Sequence, residues 1–453
     1  MESLNIFLEN RVQWRSELSF IIVTAGAVIG IGNFWLFPTL INQYGSGFVL
    51  VYLACLLLVG IPAMMAEMLI GRQGRQNQVS TMQLLAIEAN RTQRWKWLGF
   101  WGAATLLLIL TFYTVISSFS LAYFYQFISG NFHHLPSSAV TEKWHVFLAH
   151  PKTLLFWNTI TILLGVIIIA RGIRHGLETL SYITVFGIFI LLFVFIGAAI
   201  KEHLFLQNLA QFLTFNARAL APAGLLAALG YAFFSISIGG GTMLVYGSYL
   251  PQTASLTRSI LWIVFLELLS SILTCLALNP WVFNNLSGSS DGLGLLFEAI
   301  PQNITLLKYA TIEGSIFYLV VFLAAWTSII AFMEPLAIIL IERFHISRIA
   351  SAVLIGVIAW IIGLGTILSF NLWQTSHWSF YQWISILSMD LMLPLGGLGF
   401  CLFAGYGMTK KSTSLELNAV RFYWIYTFWR VFVRYVAPLG IFVILLANIV
   451  KLF

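Results

Sequence analysis

The feature that most constrains this chain is the length of its apolar runs, of which Leu154 to Ala170 is one. Every amide in such a run needs a hydrogen-bond partner once it leaves water, and a bilayer-spanning helix supplies those partners internally. About 20 predominantly apolar residues make one span. A transmembrane β-barrel is excluded, because its strands alternate apolar and polar residues and these runs do not. Of 453 residues, 60% are hydrophobic and only 9% charged, which excludes a water-soluble enzyme or nucleic-acid binder. The fold class is therefore an all-α membrane protein whose first partner is the lipid bilayer.

Apolar runs between charged or Pro/Gly-rich breaks predict about eleven spans. They cover residues 18–42, 47–70, 98–128, 153–170, 177–200, 220–250, 259–282, 313–341, 349–368, 378–407 and 421–450. With the N-terminus in the cytoplasm, 15 of the 23 Lys and Arg residues fall inside and 6 outside, leaving Arg430 and Arg434 within the last helix. That bias predicts a multi-pass protein of the plasma membrane, N-terminus inside and, by the odd helix count, C-terminus outside. It also accounts for the net charge of +7 without a polyanionic partner. Cys55, Cys275 and Cys401 lie in apolar stretches and suggest neither disulfide nor metal site. Met1 to Glu17 is polar and leads into a full span, so no cleavable signal is expected.

Two spans are interrupted. The first contains Gly26-Ala-Val-Ile-Gly30-Ile-Gly32-Asn33 and the sixth contains Phe234-Ser235-Ile-Ser237-Ile-Gly239-Gly240-Gly241. Glycine is a poor helix former, and freed backbone groups at mid-membrane are tolerated where they line a cavity. Breaks in spans one and six occupy corresponding positions if spans one to five and six to ten are inverted repeats, the arrangement that places a transporter's substrate site. The expected organisation is a tail (1–17), two five-helix repeats (18–200 and 220–407) and an extra helix (421–450).

Trp14 followed by Gly30-Ile-Gly-Asn-Phe-Trp-Leu-Phe-Pro38 resembles the first-helix signature of the neurotransmitter:sodium symporters. Gly60-Ile-Pro with Glu67 and Gly71-Arg72, Phe112-Tyr113, Arg171-Gly-Ile, Phe233-Phe234-Ser235-Ile-Ser237, Thr327-Ser328 and Leu393-Pro-Leu-Gly-Gly agree in order and spacing. Eleven helices look like the bacterial branch, with its leucine-transporter-like fold. The resemblance implies an amino-acid substrate. Backbone N–H groups freed at Ile31 and Gly32 suit its carboxylate, joined by the Tyr113 hydroxyl, while carbonyls at Phe234, Ser235 and Ile238 suit its ammonium. Ser237 belongs to the same break. Monoamine carriers of the family have an aspartate at position 30, whereas Gly30 leaves room for a substrate carboxylate. The side-chain pocket sketched from Ile109, Ile116, Phe234, Gly240, Ile329 and Phe332 is apolar, and Gly240 leaves room for a bulky aliphatic or aromatic group.

By position, one sodium site would use the carbonyls of Gly26, Ile29 and Ala324 with the Thr327 and Ser328 hydroxyls, oxygen ligands that a hard cation prefers. The other would use the Val28 carbonyl, Asn33, Ser235 and Glu267, where the family usually has Asn; a register shift of one residue would put Leu266 there. A carboxylate within a span is costly and reads as functional. At that site sodium and protons would compete for Glu267, and chloride would be unnecessary. Sodium ions are the expected coupling ions, with no organic cofactor.

The family's outer gate pairs an Arg with an Asp. Here Leu36 takes the first position and Trp378 to Ser388 contains no acid, so closure by apolar contacts among Trp35, Tyr113 and Phe234 is expected. Arg11, Trp14 and Glu342 match the inner gate. The leading function is sodium-coupled symport of neutral apolar amino acids by alternating access. The rivals are a proton-coupled carrier using Glu267 and a transport-inactive amino-acid sensor. No nucleophile–base pair or metal-ligand spacing among the eight His residues supports an enzyme. The sequence assigns no oligomeric state.

Overall fold

The computed structural model describes residues 12–133, 135–201, 205–213, 217–278, 292–373, 378–417 and 423–450, and among these it is helical with no strand. Among the described residues nine helices are long and apolar enough to span a bilayer: α3 (Gly47–Gly74), α4 (Gln93–Ile128), α5 (Pro151–Ala170), α6 (Ile173–Lys201), α9 (Leu256–Ala277), α10 (Ala310–Phe344), α11 (Arg348–Ser369), α12 (Phe380–Gly407) and α13 (Tyr423–Val450). Ahead of them, α1 (Glu17–Val28) and α2 (Ile31–Tyr44) form one span bent by 69°. A second interrupted pair, α7 (Pro222–Ser235) and α8 (Thr242–Ser248), lies between α6 and α9. Counted as one span, it brings the total to a number consistent with the eleven expected.

Helix starts follow local chemistry. The Ser16 hydroxyl accepts from the Ser19 amide at 3.1 Å to open α1, and Ser347 opens α11 by accepting from Ala350 at 3.3 Å. Pro151 and Pro222 occupy first-turn positions, where a missing N–H costs nothing. Span α4 begins five residues before the expected 98. The Thr92 hydroxyl caps its first turn, and Arg94 and Lys96, which read as loop residues, are the helix's own charged end.

Small residues let the interrupted span approach α3. An added Cβ on Gly71 would collide with the backbone of Leu244 in α8, and one on Gly247 would collide with the backbone of Met68 in α3. Such close backbone approach is how helices associate where lipid tails remove most of the hydrophobic driving force. At 36 residues α4 is about 54 Å long, and α10 is comparable, so both exceed the hydrocarbon slab. They pass beside both breaks and contribute facing side chains to the centre of the protein.

Gly71→Ala should therefore destabilise the protein by about 1–3 kcal/mol, since a backbone carbonyl cannot move aside as a side-chain tip can. Gly187→Ala, in α6 with open space around the added methyl, should leave the melting temperature unchanged or higher. Thermal unfolding of the two variants in one detergent checks the contrast, and equal melting temperatures would contradict it.

Candidate functional site

The first break is a short piece of extended backbone. Helix α1 ends at Val28, Ile29 and Gly30 are extended, and a single tight turn at Ile31–Asn33 leads into α2. The freed amides find side chains: Gly30 N–H donates to Asn33 Oδ1 at 3.0 Å, and Ile31 N–H donates to Tyr113 Oη at 3.4 Å. A Cβ on Gly30 would lie 3.3 Å from both Ser328 Oγ and Tyr113 Oη, so this position has little space for a side chain.

The second break runs from Ile236 to Gly241. Ser237, Gly239 and Gly241 have φ of 52°, 101° and 91°, a conformation readily adopted by glycine and strained for serine. Its amides are satisfied by Glu67 of α3, which accepts from Gly239 N–H at 2.8 Å and Gly241 N–H at 3.0 Å. A buried carboxylate thus holds the start of α8.

A cavity of about 570 Å³ lies between the breaks and runs toward the Tyr44 end of α2, away from Trp14. Of the candidate substrate residues, Gly30, Ile31, Gly32, Ile109, Tyr113, Ile116, Phe234, Ser235, Ser237 and Phe332 line it. Ile238, Gly240 and Ile329 are not on its wall. Ile238 faces Gly397 of α12 and Ile329 faces Gly165 of α5. The room expected beside Gly240 is taken by Leu106 of α4, whose Cγ stands 2.9 Å from where a Gly240 Cβ would be and which itself lines the cavity. Side-chain space is therefore set by Leu106 together with the glycine.

Asn33 connects this cavity to a buried polar cluster. Its Nδ2 donates to Glu267 Oε1 at 3.1 Å, Ser271 Oγ at 2.8 Å and Ser270 Oγ at 3.3 Å. Tyr52 Oη donates to Glu267 Oε2 at 2.7 Å and lies 2.9 Å from Ser235 Oγ. Glu267, and not Leu266, is the α9 residue that meets Asn33. Sequence reasoning identified Asn33, Ser235 and Glu267 but missed Tyr52 and Ser270, since a tyrosine and a serine in apolar helices carry no signal of their own.

The second candidate ion site lies where α1 ends against α10. Ser328 Oγ donates to the carbonyls of Ala27 at 3.3 Å and Ala324 at 3.2 Å, and Thr327 Oγ1 donates to Ala324 at 2.9 Å. Gly26 packs on Thr327, with 3.6 Å from its added Cβ to the threonine Cβ. The last turn of α1 leaves carbonyls without intrahelical partners, Ile29 following directly after it. The oxygens gathered here belong to carbonyls and hydroxyls and are neutral. They fit a sodium ion by donor type.

Opposite the cavity mouth, Trp14 seals the protein: its indole N–H donates to the Tyr246 carbonyl at 3.0 Å and its ring packs edge-on against Tyr246 and Tyr249. Tyr249 Oη reaches Glu334 Oε1 at 3.0 Å, and the buried Glu334 pairs with the half-buried Arg348 at 2.5 Å, an ion pair that sequence reasoning did not find. Glu342 accepts from the Asn77 backbone and side-chain N–H groups at 2.6 and 3.0 Å. Arg11 lies outside the described residues. At the mouth, Leu36, Leu40, Tyr44 and Tyr381 are joined by Asp390 of α12. The vestibule is thus not wholly apolar: its acid is two residues past the stretch that the sequence showed to lack one.

Similarity to known proteins agrees with this geometry. The profile of the sodium:neurotransmitter symporter family matches residues 11–146 and 148–453. An uncharacterized sodium-dependent transporter of Bacillus subtilis is 28% identical over 443 residues, covering 96% of this chain and 97% of the relative. One from Haemophilus influenzae is 25% identical over 462 residues, covering 97% and 99%. The crystal structure of MhsT in complex with L-phenylalanine superposes with a TM-score of 0.86 at 29% identity, covering 97% of this chain and 100% of that one. This chain is a multi-pass membrane transporter, not an enzyme, and it belongs to the sodium:neurotransmitter symporter family.

Proposed function

We propose that the chain carries neutral, apolar amino acids, with bulky aliphatic or aromatic side chains, by sodium-coupled alternating access. The observation that carries this reading is the placement of Asn33, which touches the carboxylate end of the cavity through Gly30 and the acid of the candidate ion site through Glu267. The Ile31 and Gly32 amides and Tyr113 receive the substrate carboxylate, carbonyls of the second break receive its ammonium, and Leu106, Ile109, Ile116, Phe234 and Phe332 surround its side chain. The L-phenylalanine in the MhsT complex supports that side-chain class.

Sodium at the first site takes the Val28 carbonyl, Ser235, Glu267 and Asn33. A hard cation binds oxygen, and the Asn33 oxygen now accepts from Gly30 N–H. Turning that oxygen toward sodium releases the Gly30 N–H to the substrate carboxylate, so each ligand favours the other, as linkage requires of both directions equally. The second sodium lies in the cage of Gly26, Ile29, Ala324, Thr327 and Ser328. We read residues 18–200 and 220–407 as inverted repeats around this site, followed by the eleventh helix, in the plasma membrane with the N-terminus cytoplasmic. On that orientation the cavity opens outward. Trp14 closes the inner side with Glu342, and Arg11 belongs by sequence to the same gate.

Three variants test the reading in equilibrium binding and uptake. Ser328→Ala should raise the sodium concentration for half-saturation about tenfold, the loss of one charge-assisted contact, with an unchanged melting temperature; an unchanged sodium requirement would remove the cage. Gly30→Asp should abolish amino-acid binding, because its carboxylate would occupy and repel the substrate's own; retained binding would reverse the assignment of the carboxylate end. Glu267→Gln should weaken sodium-coupled uptake, flatten its pH dependence and bring in a chloride requirement. Wild-type sodium, pH and chloride profiles in that variant would count against Glu267 as a ligand.

A further inference from the structure

Two arginines lie within the last membrane helix, and the transport site uses neither. Arg430 Nη1 donates to Thr413 Oγ1 at 3.1 Å and to Tyr426 Oη at 2.6 Å. Arg434 Nε donates to the Gly405 carbonyl at 2.8 Å, and its guanidinium carbon stands 5.0 Å from the centre of the Tyr406 ring. A third arginine arrives from the loop before α4: Arg91 Nη2 donates to the Tyr406 carbonyl at 3.2 Å. Arg91 and Arg434 therefore sit on the carbonyls of two consecutive residues at the end of α12.

All these partners are neutral. Ion pairs form elsewhere, among them Arg15–Glu178, Arg72–Glu416, Arg258–Glu17 and Arg348–Glu334. Glu416, the acid of the short helix Lys410–Glu416 beside the site, is engaged by Arg72 at 3.2 Å. Carbonyls and hydroxyls satisfy N–H groups but do not neutralise charge, so the guanidinium groups keep their full attraction for an anion at the membrane surface. Arg91, Lys410 and Lys411 are exposed in the segments that flank these contacts, and with Arg430 and Arg434 these basic residues outnumber the neighbouring acids Glu88 and Glu416. Around it the surface is apolar and aromatic: Leu402, Tyr406, Phe428, Val431, Tyr435 and Leu439 are all more than a third exposed. Tyr406 and Tyr435 join the two exposed stripes, with ring centres 6.5 Å apart.

We propose that this face of α12 and α13 binds the phosphate of an anionic glycerophospholipid. The phosphodiester rests between the guanidinium groups of Arg91 and Arg434, and an acyl chain runs along the exposed stripe of Tyr406, Tyr435 and Leu439. Arginine matches phosphate through paired N–H donors, and each basic residue near an anionic membrane surface contributes about a fivefold preference. A free phosphate ion shares the headgroup chemistry but has nothing to place on the apolar stripe.

The full chain purified in detergent can be titrated with phosphatidylcholine, with phosphatidylglycerol and with inorganic phosphate. Native mass spectrometry reads retained lipid, and thermal unfolding reads stabilisation. The wild type should retain phosphatidylglycerol over phosphatidylcholine, and Arg91→Gln and Arg434→Gln should each lower that preference about fivefold. Arg434→Lys, which keeps the charge but not the paired donors, should fall between Arg434→Gln and the wild type, and inorganic phosphate should not stabilise. Equal retention of the two lipids by the wild type, or an unchanged preference in Arg91→Gln, would overturn the proposal. Arg91 is an exposed loop residue, so its variant decides the matter even where Arg434→Gln does not fold. Stabilisation by inorganic phosphate equal to that by phosphatidylglycerol would also overturn it, reassigning the site to a free anion.

Discussion

A helix broken at the centre of a membrane must have its freed amides and carbonyls satisfied by something other than water, and the architecture of this protein follows from that demand. Glu67 answers it at the second break by holding the Gly239 and Gly241 amides. Asn33 and Tyr113 answer it at the first, on Gly30 and Ile31. The tight contacts of α3 with α8, which only glycine permits, bring Glu67 within reach. Both breaks border the cavity, where the proposed zwitterion and cations would meet the backbone dipoles that the helices no longer use.

The same accounting explains why ions and substrate act together in the proposed mechanism. Asn33 has one acceptor and two donors; its oxygen is on the first break and its amide nitrogen on the Glu267 cluster. Any cation that claims the oxygen alters what the break offers to a carboxylate. No long-range pathway is needed, because the two sites share a side chain. The Ser328 hydroxyl plays a similar part on the other side, contacting the end of α1 while standing beside Gly30. At the opposite face, the Trp14 indole is tied to α8, and Tyr249 is linked through Glu334 to Arg348.

Much of this was legible in the chain itself. Span boundaries fall within a few residues of those expected, because hydropathy over twenty residues is a strong signal, and the shifts occur where charged residues such as Arg94 and Lys96 form a helix's own end. Glycine clusters marked both breaks, while Ile109, Tyr113, Ile116 and Phe332 were anticipated through the family resemblance and not from periodicity. What was not legible depends on contacts distant in sequence. Glu67 reaches Gly239 across 172 residues, and nothing in either segment announces the pairing. Leu106 fills the space beside Gly240, Tyr52 closes the Glu267 cluster, and Asp390 joins the vestibule just beyond a stretch without acids. Periodicity shows which residues lie in a helix, but tertiary packing decides which of them face the cavity.

The central claim is that a sodium gradient drives an apolar amino acid through this cavity. Uptake of a panel of radiolabelled amino acids into proteoliposomes, with an imposed sodium gradient, with a proton gradient alone, and with neither, tests it most directly. The account predicts concentrative uptake of neutral aliphatic or aromatic amino acids only when sodium is high outside, with charged amino acids excluded. Accumulation driven by the proton gradient without sodium, or sodium-independent equilibration of the whole panel, would contradict it.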